Sequence, residues 1–83
     1  MRSYSNSSKN ASFPAIWGSL TPARQRDLRA LIVGATHASD ATIFRWRKGE
    51  TIPEAYSTRK DIAVVVSEFT GRQLTAEDLF PDK

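Results

Sequence analysis

The sequence predicts an all-α domain, a small bundle of four to five short helices, and three observations predict it. Apolar residues recur at three- and four-residue spacing in several separate segments. Most of those segments open on Ser, Thr or Pro and close on glycine or proline, the punctuation of short helices. No stretch combines period-two alternation with a tight hairpin turn, so nothing signals paired strands.

The elements follow in order. Residues 1–12, with Arg2, Lys9 and little apolar content beyond Tyr4, are rich in Ser and Asn. They read as a flexible, disordered tail ahead of a single domain at 13–83. In "FPAIWGSL", Phe13, Ile16, Trp17 and Leu20 suit a short amphipathic helix of core anchors, which Gly18 weakens. In "LTPARQRDLRALIVGAT", Thr21 is an N-cap and Pro22 stands at the first helical position, where its missing N–H costs nothing. Leu28, Leu31, Ile32 and Ala35 form its predicted apolar stripe, and Gly34 marks where it can stop. A third helix opens on Ser39 and closes at Gly49. After a loop containing Pro53, "STRKDIAVVVSEFTG" reads as a fourth, with Thr58 and Asp61 as a capping box and Ile62, Val65, Val66 and Phe69 buried before Gly71. The run Val64, Val65, Val66 also suits a strand, but the caps and the length favour a helix. A last turn in "LTAEDLF" has Thr75 as its cap and returns Leu79 and Phe80 to the core before Pro81.

Composition narrows the class of function. With 40% hydrophobic and 25% charged residues, the 83-residue chain is too apolar for wholesale disorder and large enough for one small core. It has no cysteine, which excludes disulfides and cysteine-ligated zinc and leans towards a cytoplasmic location. Neither a signal-peptide pattern nor a run of membrane-spanning length is present, so no membrane role is expected. The net charge of +3 is unevenly spread: residues 13–48 carry six bases against two acids, whereas 49–83 carry four bases against seven acids. A basic middle beside an acidic end suggests an anionic partner for the middle.

The stretch "SDATIFRWRKG", Ser39 to Gly49, sharpens that suggestion. At about 100° per residue, Ile43 and Trp46 fall on one side of the helix, with Thr42 at the margin. Ala41, Phe44, Arg45 and Lys48 fall together on the other. Ile43 and Trp46 are core residues. The opposite row suits the major groove of B-DNA, which admits one helix and offers acceptor pairs to Arg and thymine methyls to apolar groups. Ala41 lets the backbone approach, Phe44 suits a thymine methyl, and Arg45 suits guanine O6 and N7. Arg47 and Lys48 are placed for phosphates, which add affinity without sequence information. Asp40 accepts from cytosine N4 or, the favoured role, matches the helix dipole as a residue of the first turn. For Phe44 the alternative is a satellite core contact with Trp17 or Phe13. Arg24, Arg26 and Arg29 read as a solvated face rather than a second phosphate-binding row.

The segment "SDATIFRWRKGETIP", the proline four residues after Gly49, the following "DIA" and the closing "LF" resemble the helix-turn-helix domains of the phage Cro and repressor type, over roughly residues 21–80. The resemblance implies a recognition helix at about 39–48. By position it implies base contacts from Asp40, Ala41, Phe44 and Arg45, and backbone contacts from Ser39, Arg47 and Lys48. The chain departs from the family in two places. Residues 22–35 lack the break between two short helices, and His37 stands near the usual glycine of the turn.

Other chemistries have less support. His37 is the one histidine, with no carboxylate cluster around it, so neither a metal site nor a nucleophile–base pair is expected. Thr75 and Asp78 read as a cap, not as part of a hydrolase's acid pair, and four glycines make no phosphate loop. The expectation is a non-enzymatic domain with no cofactor and no small-molecule substrate, whose partner is double-stranded DNA. Operator-type specificity from so short a helix asks for a homodimer on half-sites about one helical turn apart. The alternative is a protein-interaction adaptor that keeps the fold and uses Phe44 as an apolar patch.

Overall fold

The computed structural model describes residues 12–81. Five helices follow one another: α1 (Phe13–Gly18), α2 (Pro22–Thr36), α3 (Asp40–Lys48), α4 (Tyr56–Thr70) and α5 (Ala76–Leu79). Among the described residues there is no strand. The tail expected at 1–12 lies outside the described residues apart from Ser12, whose Oγ caps α1 by accepting from the Ala15 N–H at 3.3 Å.

One cluster holds the bundle together. Phe13, Ile16 and Trp17 of α1 meet Leu28 and Ile32 of α2, Ile43 and Trp46 of α3, Ile62, Ala63 and Val66 of α4, and Leu79 and Phe80 at the C-terminal end. Phe13 and Phe80 are the aromatic hinge, with ring centroids 5.5 Å apart; Trp17 adds to Phe13 at 5.9 Å, and Trp46 meets Phe80 edge-on at 6.5 Å. In consequence α2 lies chiefly on α4, whereas α3 lies on α1. Helix α3 is therefore anchored by the short first helix and by Phe80.

Capping follows the sequence at most ends. Thr21 Oγ1 accepts from Arg24 N at 3.3 Å, Ser39 Oγ accepts from Thr42 N at 3.2 Å, and Thr75 with Asp78 forms a reciprocal capping box. Gly71 ends α4 in the left-handed region, at φ 74°.

Four expectations are corrected. The stripe of α2 is rotated: Leu28 and Ile32 are buried, but Leu31 is 50% exposed and Ala35 is exposed. Gln25, Arg29, Val33 and Thr36 are the half-buried flank instead; Val33 packs on the core and the three polar residues find partners. Gln25 Nε2 donates to Trp17 O at 2.9 Å, Arg29 pairs with Asp40, and Thr36 Oγ1 donates to Ile32 O at 2.8 Å. Second, α2 runs past Gly34 to Thr36 and ends on His37 in the left-handed region, φ 62°, with its N–H on Val33 O at 2.7 Å. Histidine enters that region more readily than most non-glycine residues. Third, Thr58 and Asp61 form no capping box: α4 starts earlier, at Tyr56, with Ala55 as an N-cap that makes no side-chain bond. The entry is set by Arg59, which donates to Pro53 O at 2.6 Å and Glu54 O at 3.2 Å across a buried Pro53. Fourth, Arg24 is exposed as expected but is not free: its guanidinium lies 4.2 Å from the Phe69 ring centroid and donates to Phe69 O at 3.2 Å, tying α2 to the end of α4.

Candidate nucleic-acid interface

The site starts from how α3 is held. Ser39 Oγ accepts from the Thr42 N–H and donates to Thr42 Oγ1 at 3.0 Å, so its hydroxyl is engaged in the cap. Asp40 follows at the positive end of the helix dipole, and its Oδ1 accepts from Arg29 at 2.9 Å. At the other end, Gly49 N–H reaches Trp46 O at 3.1 Å and Glu50 N–H reaches Arg45 O at 3.0 Å, the paired bonds of a Schellman stop. Gly49 needs φ 80° for this, and a Cβ there would meet Pro14 Cγ at an ordinary 3.5 Å. The cost of Gly49→Ala is therefore one of backbone conformation, about 1–2 kcal/mol. In thermal unfolding each kcal/mol is expected to lower the midpoint by roughly 4–8 °C. An unchanged midpoint would mean that the end of α3 tolerates another geometry.

Between these ends the helix has two faces. Ile43 and Trp46 are buried, while Ala41, Phe44, Arg45 and Lys48 are exposed together. Thr42 and Arg47 are half-buried at the margins. Arg45 and Lys48 form no ion pair and no side-chain hydrogen bond among the described residues, and only the Phe44 ring approaches the Lys48 ammonium. The three bases Arg45, Arg47 and Lys48 fill the last turn, where the negative end of the dipole supports them.

Phe44 is not a satellite core residue. It is 44% exposed, and no aromatic pair joins it to Phe13 or Trp17. Its ring instead meets cations: Arg47 Cζ lies 4.6 Å from its centroid and Lys48 Nζ 5.4 Å. Arg47 also reaches the Trp17 ring, at 5.5 Å, so it spans the two aromatics and is held rather than swinging free. Of the seven residues singled out in the sequence, Ala41, Phe44, Arg45 and Lys48 share the open face. Ser39 and Asp40 are occupied at the N-terminus, and Arg47 bridges to α1.

Beside this face lies a group that reads in sequence as a solvated face rather than a second phosphate-binding row. Arg26 and Arg29 line one cleft with Arg47, together with Trp17, Pro22 and Gln25. The signal was available in part, because Arg26 and Arg29 stand three apart on one helix and so share a face. What no spacing reveals is that Arg47 reaches the same place from α3. Among the described residues no group of three His, Asp or Glu is placed to hold a metal ion, and no helix is long and apolar enough to cross a membrane.

Comparison with the known protein families, with curated proteins and with solved structures returns no match. The chemistry of the face has to carry the functional argument alone.

Proposed function

We propose that this chain is a sequence-specific binding domain for double-stranded DNA. Helix α3 enters the major groove as the recognition helix, and the domain serves a bacterial or phage transcriptional regulator in the cytoplasm. The observation that carries this reading is the open row of α3: Arg45 with no acid partner among the described residues, flanked by Ala41, Phe44 and Lys48, on a helix pinned from behind by Ile43 and Trp46. A rigid helix with a small residue near its N-terminus and unpaired cations near its end is what groove entry asks for. Arg45 and Ala41 take the base-facing roles, Phe44 offers its edge to a thymine methyl, and Lys48 and Arg47 take phosphates. Asp40, held by Arg29, keeps the cap role and orients the helix start rather than reading a base. A homodimer is the form in which so short a helix gains operator-length specificity.

A second reading has one observation in its favour, the 44% exposure of Phe44. It makes the same face an apolar patch for a protein partner. Retention on a mixed-sequence duplex separates the two. The DNA reading expects retention at low salt that falls steeply as salt rises, and expects Arg45→Ala to weaken it more than Phe44→Ala. No retention at low salt would favour the adaptor.

A further inference from the structure

We infer that the cleft where α1, α2 and α3 meet is a second anion site, which holds one backbone phosphodiester of the duplex with Arg26 as its free ligand. This inference rests on the DNA reading above. The cleft measures about 240 Å³ and is lined by Trp17, Pro22, Gln25, Arg26, Arg29 and Arg47. Three guanidiniums line it and, among the described residues, no carboxylate does. Like charges gathered at a protein surface repel by several tenths to a few kcal/mol unless an anion answers them, and one answer is visible, Asp40 on Arg29. Arg26 and Arg47 have no acid partner among the described residues, so the cleft keeps an unanswered positive charge.

Its members are also pre-positioned. The Arg47 guanidinium lies over Trp17 and Phe44, Arg29 is fixed by Asp40 at 2.9 Å, and Gln25 is fixed by its bond to Trp17 O. The Trp17 indole N–H is buried and has no partner of its own among the described residues. Arginine is the side chain best shaped to take phosphate oxygens in pairs. The volume is below the roughly 300–1,000 Å³ of a typical small-molecule site, which suits a single phosphate rather than a base or nucleoside. Arg47 belongs both to the cleft and to α3, so the site continues the proposed interface along a flanking strand. Arg24, two residues from Arg26, is turned away onto Phe69 and serves as the internal control.

The test measures duplex affinity against salt for the full chain, using a mixed-sequence duplex, with Arg26→Ala, Arg24→Ala and Arg45→Ala beside the wild type. Removing one phosphate contact lowers the slope of log K on log salt by about 0.9, so the affinity lost between 50 and 200 mM salt should shrink by roughly threefold in Arg26→Ala. Arg24→Ala should keep the wild-type slope. If Arg26→Ala behaves like Arg24→Ala while Arg45→Ala is weakened, the DNA reading stands and the cleft site is overturned. If the wild type is not retained at all, both fall. A parallel titration follows the Trp17 indole N–H by NMR with the duplex and with inorganic phosphate. A saturating shift with the duplex that Arg26→Ala abolishes supports the site; a shift with inorganic phosphate alone makes it a free-anion site and overturns the proposal.

Discussion

Trp46→Ala should unfold most of the domain at physiological temperature. Truncating a large buried aromatic costs about 3–5 kcal/mol, against a total of roughly 5–15 kcal/mol for a typical domain and less for a chain this small. Trp46 is 6% exposed and meets Phe80 edge-on, and Phe80 in turn packs, tilted, against Phe13 of α1. The indole therefore joins α3 to the two elements that hold it, and its loss leaves a cavity that the short α1 cannot collapse to fill. Chemical denaturation followed by helical circular dichroism reads the effect. A midpoint that moves by less than the equivalent of about 1 kcal/mol would show that α3 is anchored elsewhere.

Arg45→Lys should separate reading from attraction. The position is exposed and without an ion-pair partner among the described residues, so the fold is expected to be untouched. Lysine keeps the positive charge but lacks the planar fork that addresses guanine O6 and N7 together. Discrimination at one base pair should fall by about 1–3 kcal/mol, roughly 5- to 150-fold. Binding to mixed-sequence duplex should stay close to wild type, because its origin is charge. Competition between a preferred and a scrambled duplex measures the ratio. An unchanged ratio in Arg45→Lys would remove Arg45 from the base-reading role.

How far the sequence carried this account differs from element to element. The two faces of α3 were legible because Ile43 and Trp46 against Ala41, Phe44, Arg45 and Lys48 follow helical geometry alone, and Ser39 and Gly49 bound the helix. The caps at Thr21, Thr75 and Gly71 are equally local chemistry. Expectations failed where a distant partner decided the outcome. Leu31 lies in the open because the face of α2 that meets the core is centred on Leu28 and Ile32, with Val33 at its margin and Gln25 completing its edge through a bond to Trp17 O. Thr58 lost its cap role because Arg59 holds the loop carbonyls and lets α4 begin at Tyr56. Arg24 read as a solvated residue and Arg47 as a phosphate contact, yet each lies on a ring, Arg24 on Phe69 and Arg47 between Trp17 and Phe44. Propensity and periodicity fix faces; which arginine remains free is a property of the folded surface.

The measurement that tests the central claim most directly is selection of bound sequences from a random duplex library, with wild type and Arg45→Ala run side by side. The wild type is expected to enrich a defined motif that contains a guanine position, and Arg45→Ala to blur that position first. A two-fold symmetric motif would report a dimer. Retention without any enriched motif, equal for both proteins, would contradict the claim that α3 reads sequence.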